Sequence, residues 1–156
     1  MAADRKYILG AAVVAALAFA GVALAAPVER SGAAAWVQDG DTLTVGGISW
    51  RLWGINAPEM HLPGGGASRD GVAAREALRT YVAGRLVTCR SDGARSYNRV
   101  VGVCRTDRGE DLSFLMVISG YAVDWPRFSR GYYARAEREA RANARGLQVG
   151  RGLEPK

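Results

Sequence analysis

Strand-like alternation of apolar and polar positions starts at Trp36-Val37 and runs through Leu43, Val45, Ile48, Trp50, Leu52 and Ile55. Gly46-Gly47 interrupts it, and paired glycines accept the positive φ of a two-residue hairpin turn. Pro63 and three glycines make 61–68 a loop. A helix is predicted from Gly71 to about Ala83, capped by Asp70 and ended by Gly84, with a stripe that includes Ala77, Leu78, Tyr81 and Val82. Two further strands follow, around Cys89 and Cys104, with turn formers Asp92-Gly93 and Ser96-Tyr97-Asn98 between them. Asp111 is placed to cap a helix over 112–119, and Gly120 to close it. Trp125-Pro126 opens a loop. A last helix is expected over about 131–145, with Tyr132, Ala136 and Ala140 inward and Glu137–Arg141 as an i,i+4 pair. Five strands with one helix among them and helices at the end predict an α+β fold, an OB-type five-stranded β-barrel with about three packed helices. The pattern predicts one domain over 36–147, a linker over 26–35 and a polar tail over 148–156, in a monomer.

The segment before this pattern has a different character. Arg5 and Lys6 precede an apolar, alanine-rich run ending Ala23-Leu24-Ala25-Ala26-Pro27. Small residues at Ala23 and Ala25 fit a signal peptide, 1–25, cut after Ala25. The competing reading is an uncut anchor, because the run approaches the roughly 20 residues of a membrane span. The expectation is a secreted or periplasmic domain, or an inner-membrane-anchored one facing the periplasm. A hairpin centred near Ser96 would set Cys89 opposite Cys104, within disulfide reach, and an oxidising compartment would close that bond.

Net charge is +6, and Lys6 and Lys156 are the only lysines. Arginine clamps phosphate through two parallel N–H bonds, so polyanions are natural partners, although a GC-rich genome produces the same arginine and alanine bias. Folding at Gly46-Gly47 brings Asp39 and Asp41 back towards Asn56 and Glu59, with Arg51 on the returning strand. Oxygen ligands, a base and a cation in one place suit metal-assisted phosphate chemistry. Each residue also has a plainer reading. Asp39-Gly40-Asp41 could be a simple turn, Arg51 could pair with Glu59 structurally, and Arg99 could lie on a solvated face. His61, the only histidine, is assigned no role.

Three pieces stand in order: Asp39-Gly40-Asp41-Thr42, then Arg51 through Glu59, then Ser96-Tyr97-Asn98-Arg99. With the segment from Gly120-Tyr121-Ala122 to Ala136-Glu137, they make the chain from about Trp36 to Gly146 resemble the staphylococcal-nuclease (thermonuclease) family. The resemblance implies an OB barrel with calcium-dependent phosphodiesterase activity on DNA and RNA. It implies that Asp41 binds Ca²⁺ through its carboxylate and Ala57 through its carbonyl, with Asn56 at a position where the family carries an aspartate. Arg51 and Arg99 would clamp the scissile phosphate, Glu59 would be the general base, and Asp39 would support the ligands from behind. Asn56 brings an oxygen without charge, so a retained activity with weak calcium affinity is expected. The alternative is a catalytically weakened barrel of the cell envelope that binds nucleic acid or another polyanion. Tyr132 and Tyr133 are candidates to stack on bases.

Overall fold

The computed structural model describes residues 26–148. The expected leader, 1–25, and most of the polar tail, 149–156, lie outside the described residues. So does the choice between a cut signal and an anchor. Among the described residues, no helix is long and apolar enough to cross a membrane.

Among the described residues, eight strands and four α-helices are built as β1 (Val28–Asp39), β2 (Thr42–Val45), β3 (Ile48–Leu52), β4 (Ile55–Asn56), α1 (Arg69–Val82), β5 (Leu86–Ser91), β6 (Arg95–Ser96), β7 (Arg99–Thr106), α2 (Leu112–Ile118), β8 (Val123–Asp124), α3 (Pro126–Ser129) and α4 (Ala134–Ala142). Strands β3, β2, β1, β5 and β7 pair in that order, and a parallel pairing of β3 with β7 closes them into a five-stranded barrel. The short β6 pairs along β7, and β4 with β8 forms a separate two-stranded ribbon. This is the OB architecture expected from the pattern of strands.

Alternation inverts cleanly into burial. Leu43, Val45, Trp50, Leu52 and Ile55 are buried, and the Trp50 indole donates to the Val45 carbonyl at 3.2 Å, so its polar atom is satisfied inside the core. The Gly46-Gly47 turn takes positive φ at both positions. Cys89 and Cys104 face each other in the β5–β7 register and form a disulfide.

Three sequence expectations are corrected. The linker expected over 26–35 is largely strand. The first half of β1, Val28 to Ala33, pairs with β5, and its second half pairs with β2. Ser31-Gly32-Ala33-Ala34 has little strand propensity of its own, but small side chains let one strand bend between two neighbours as the barrel closes. Helix α1 starts earlier than expected. Ser68 is its cap, accepting from the Gly71 amide at 3.1 Å, and Asp70 lies in the first turn. The last helix starts later than expected: the loop that Trp125-Pro126 opens holds a short helix, α3, and Arg130 (φ 54°) and Gly131 (φ 80°) reverse the chain before α4 begins at Ala134.

That late start leaves the two tyrosines ahead of the helix, while Ala136 and Ala140 are buried as expected. Tyr133 is buried at 1% exposure and Tyr132 is exposed at 67%, the reverse of the inward Tyr132 expected from the helical pattern. Tyr133 donates from its hydroxyl to Asp111 at 3.3 Å, and burial pushes its phenol well above the usual range. A ring enclosed in this way offers no face to a base, so Tyr133 is withdrawn as a stacking candidate.

Candidate active site

The site is built where β1 runs into β2. Asp39 and Asp41 flank Gly40, and both acids are buried, at 9% and 2% exposure. The glycine is required by close approach. A Cβ at position 40 would stand 2.6 Å from Ala74 Cβ on α1 and 2.8 Å from Ala57 Cβ. Helix α1 therefore presses directly on the turn, which keeps the two carboxylates from spreading into solvent.

Every oxygen of Asp41 is engaged. Oδ2 accepts from the Ala57 amide at 3.0 Å, and Oδ1 accepts from the Thr42 hydroxyl at 3.1 Å. Oδ1 also forms an ion pair with Arg51. The other Arg51 terminal nitrogen, Nη2, donates to the Ile55 carbonyl and to Asn56 Oδ1, both at 3.3 Å. Arg99 reaches the same centre from β7. Its Nη1 donates to Thr42 Oγ1 at 2.9 Å, while Nη2 donates to Ser96 Oγ at 3.4 Å.

Charge follows burial. Enclosure pushes the Asp39 carboxyl above its ordinary 3.8, against the pull of Thr42, Arg51 and Arg99. Enclosure also pushes the Arg51 guanidinium down to about 10, with repulsion from Arg99 adding to the shift and Asp39 and Glu59 opposing it. Glu59 lies on the loop after β4, exposed, and its charge is felt at Arg51. Its backbone is fixed by α1: a Cβ on Gly71 would stand 2.6 Å from the Glu59 carbonyl carbon and 2.8 Å from Met60 Cα.

The fold thus gathers Asp39, Asp41, Arg51, Asn56, Ala57, Glu59 and Arg99 around one centre. Sequence reasoning missed Thr42, which is fully buried between Asp41 and Arg99. It stood inside the acidic motif, but only the long-range contact with Arg99 gives it a partner. Also missed was the side of the site lined by aromatic rings. A cleft of about 160 Å³ is lined by Arg51, Ile55, Arg95, Val101, Trp125 and Phe128. Trp125 and Phe128 meet edge to face with centroids 4.6 Å apart, and the Arg51 guanidinium lies 5.7 Å from the Trp125 centroid. A larger groove of about 700 Å³, lined by Val28, Trp53 and Val103 among others, includes none of the acids or arginines of the centre.

The donor chemistry fits a hard cation incompletely charged. Asp41, Asn56 and the Ala57 carbonyl, with Asp39 adjacent, offer only oxygen, which suits Ca²⁺. Among the described residues, however, no three His, Cys, Asp or Glu side chains gather as an ion-binding group. Asn56 leaves Asp39 and Asp41 as the only carboxylates in this ligand set, and in the structure the Arg51 guanidinium bridges Asp41 and Asn56.

Comparison with known proteins agrees with the fold. The sequence profile described as "Staphylococcal nuclease homologue" matches residues 49–148. A succinoglycan biosynthesis protein, ExoI, from Rhizobium meliloti (strain 1021) is similar, with 34% identity over 116 residues. The match takes in 71% of this chain and 61% of that relative's length.

Proposed function

The chain belongs to the staphylococcal nuclease homologue family, and from that premise we propose that it hydrolyses phosphodiester bonds in DNA and RNA with Ca²⁺, outside the cytoplasmic membrane. One observation carries the reading: two buried acids and two arginines share one hydrogen-bonded centre through Asp41 and Thr42, beside a cleft lined by aromatic rings.

Attack of water on a phosphodiester builds negative charge on the phosphoryl oxygens. In this reading Arg51 and Arg99 stabilise that charge from fixed positions, where donors held away from bulk water act most strongly. Glu59, on the loop after β4 that α1 holds in place, accepts the proton of the attacking water. The bond from phosphorus to the leaving sugar oxygen then breaks, that oxygen takes a proton from solvent, and the phosphate stays on the 3′ side by resemblance to the family. Ca²⁺, held by Asp41, Asn56 and the Ala57 carbonyl with Asp39 in support, would supply Lewis-acid stabilisation of the phosphoryl oxygens. Trp125 and Phe128 offer flat apolar surface to a base, and exposed Tyr132 remains a weaker stacking candidate. Phosphate clamps carry no base information, so little sequence preference is expected.

The proposal extends to location. A disulfide between Cys89 and Cys104 supports an oxidising compartment. The test is digestion of single-stranded DNA and of RNA by the full chain, with a calcium titration and a chelator arm. Calcium-dependent cleavage that Glu59→Gln abolishes, while binding persists, supports the reading. Absence of cleavage at any calcium concentration refutes it.

A second reading is favoured by Asn56 and by the arginine bridging its oxygen to Asp41. In it the barrel binds a polyanion in the envelope, nucleic acid or acidic glycan, without cleaving it. The similar protein, ExoI, is a succinoglycan biosynthesis protein, which belongs beside this reading. Salt-sensitive binding independent of both Ca²⁺ and Glu59 would select it.

A further inference from the structure

We propose that Thr42 is a positioning residue that holds Arg99 in the site and couples it to Asp41; this rests on the hydrolytic reading above. The Thr42 hydroxyl has one proton and two lone pairs. It accepts from Arg99 Nη1 at 2.9 Å and donates to Asp41 Oδ1 at 3.1 Å. Its residue is fully buried. Asp41 in turn pairs with Arg51, which reaches Asn56. Arg99 therefore reaches the Asp41 carboxylate through the hydroxyl, and Arg51 donates to the same carboxylate from the other side. Donation from Arg99 strengthens the bond that the hydroxyl makes to Asp41.

Thr42 sits where it does because the β2 register sets it opposite Arg51 on β3, so the hydroxyl lies in the same hairpin as the acid and the guanidinium. Arg99 comes from a different strand, β7. The remaining Arg99 contacts, to the Ser96 carbonyl at 3.5 Å and the Ser96 hydroxyl at 3.4 Å, are long, and Ser96 is only three residues away. They fix the side chain to its own turn, not to the acids. Thr42 is the short bond that carries Arg99 across to them. Without the hydroxyl, the Arg99 guanidinium has no partner on β2 and is free to turn towards solvent.

The experiment compares Thr42→Val, which keeps the shape and the strand preference but lacks the hydroxyl, with Thr42→Ser, which keeps the hydroxyl. Each is made in the wild-type and in the Arg99→Ala background of the full chain. Two measurements are taken: cleavage of single-stranded DNA, and the Arg side-chain nitrogen resonances, which need no turnover. In the wild-type background Thr42→Val is expected to lower kcat by about 10- to 100-fold, the range seen when a catalytic group is misplaced by about an ångström. Thr42→Ser is expected to restore most of it. In the Arg99→Ala background the two Thr42 variants are expected to be equal, because the residue they act through is gone. The Arg99 resonances, assigned by their loss in Arg99→Ala, are expected to be those of a held guanidinium in wild type and Thr42→Ser and of a free one in Thr42→Val. Arg99 resonances unchanged by Thr42→Val overturn the proposal, and so does an equal kcat loss in both backgrounds. If wild type cleaves nothing, the hydrolytic reading fails by itself, and the resonances still decide whether Thr42 holds Arg99.

Discussion

Gly71 provides a prediction whose sign depends on the packing described above. It lies inside α1 without positive φ, and helix propensity alone says that Gly71→Ala gains about 0.5–1 kcal/mol. The structure predicts the opposite. A Cβ there would stand 2.6 Å from the Glu59 carbonyl carbon and 2.8 Å from Met60 Cα, with the Glu59 carbonyl oxygen closer still. These are backbone atoms, so no side chain can turn away to relieve the overlap. Their segment is also tied to the helix start, because the Ser68 amide donates to the Met60 carbonyl at 2.8 Å. Overpacking typically costs about 1–3 kcal/mol, and a backbone neighbour places this site towards the upper end. Set against the propensity gain, a net loss of about 1–2 kcal/mol remains, which lowers Tm by roughly 3–10 °C in a domain of this size. The segment that must move carries Glu59. An ångström of displacement at a catalytic group can cost about 100-fold, so kcat should fall well beyond what the lost stability explains at assay temperature. Thermal unfolding followed by circular dichroism, beside the nuclease assay, measures both. A Gly71→Ala variant with a raised Tm and unchanged kcat would refute the claim that α1 positions the Glu59 backbone.

Asn56→Asp should move the calcium dependence of cleavage to lower concentration, since it adds a charge to the ligand set; an unmoved calcium titration would show that residue 56 is not a ligand. Replacing both Cys89 and Cys104 by alanine should cost about 2–4 kcal/mol in denaturant unfolding, and a reductant should weaken wild type without affecting the variant. Tyr133→Phe tests the buried phenol. Below pH 10 folded and unfolded chains both keep its proton; above it the unfolded chain loses the proton first, because the folded value is raised, so stability falls as pH rises. The stability difference between wild type and Tyr133→Phe should therefore shrink above pH 10 and stay constant below it.

The acidic turn, Arg51 and Asn56 were legible because the contacts that join them are local, folding back through one hairpin whose turn residues announce themselves. The disulfide was legible by the same symmetry about Ser96. The first half of β1 was not, because glycine and alanine acquire strand structure only from β5, which lies far along the chain. Nor was the placement of the tyrosines. The expected helix took in Gly131, but positive φ at Arg130 and Gly131 delays it to Ala134, which leaves Tyr132 and Tyr133 ahead of the helix while Ala136 and Ala140 face inward as expected. Thr42 was visible as a letter in a motif, but its partner Arg99 is 57 residues away, and no local pattern encodes that distance.

The barrel closes through β3 and β7, along Trp50–Val100, Arg51–Val101 and Leu52–Gly102. Arg51 lies within that joint and Arg99 stands one residue before it. Joining two segments so far apart carries a chain-closure cost that no nearby turn relieves. A half-made or unfolded polypeptide thus holds the acidic turn and one guanidinium but not the pair facing each other. On the hydrolytic reading proposed above, competence requires that closing seam of the cylinder, which would leave a half-made chain inert towards the nucleic acids of the cell that makes it.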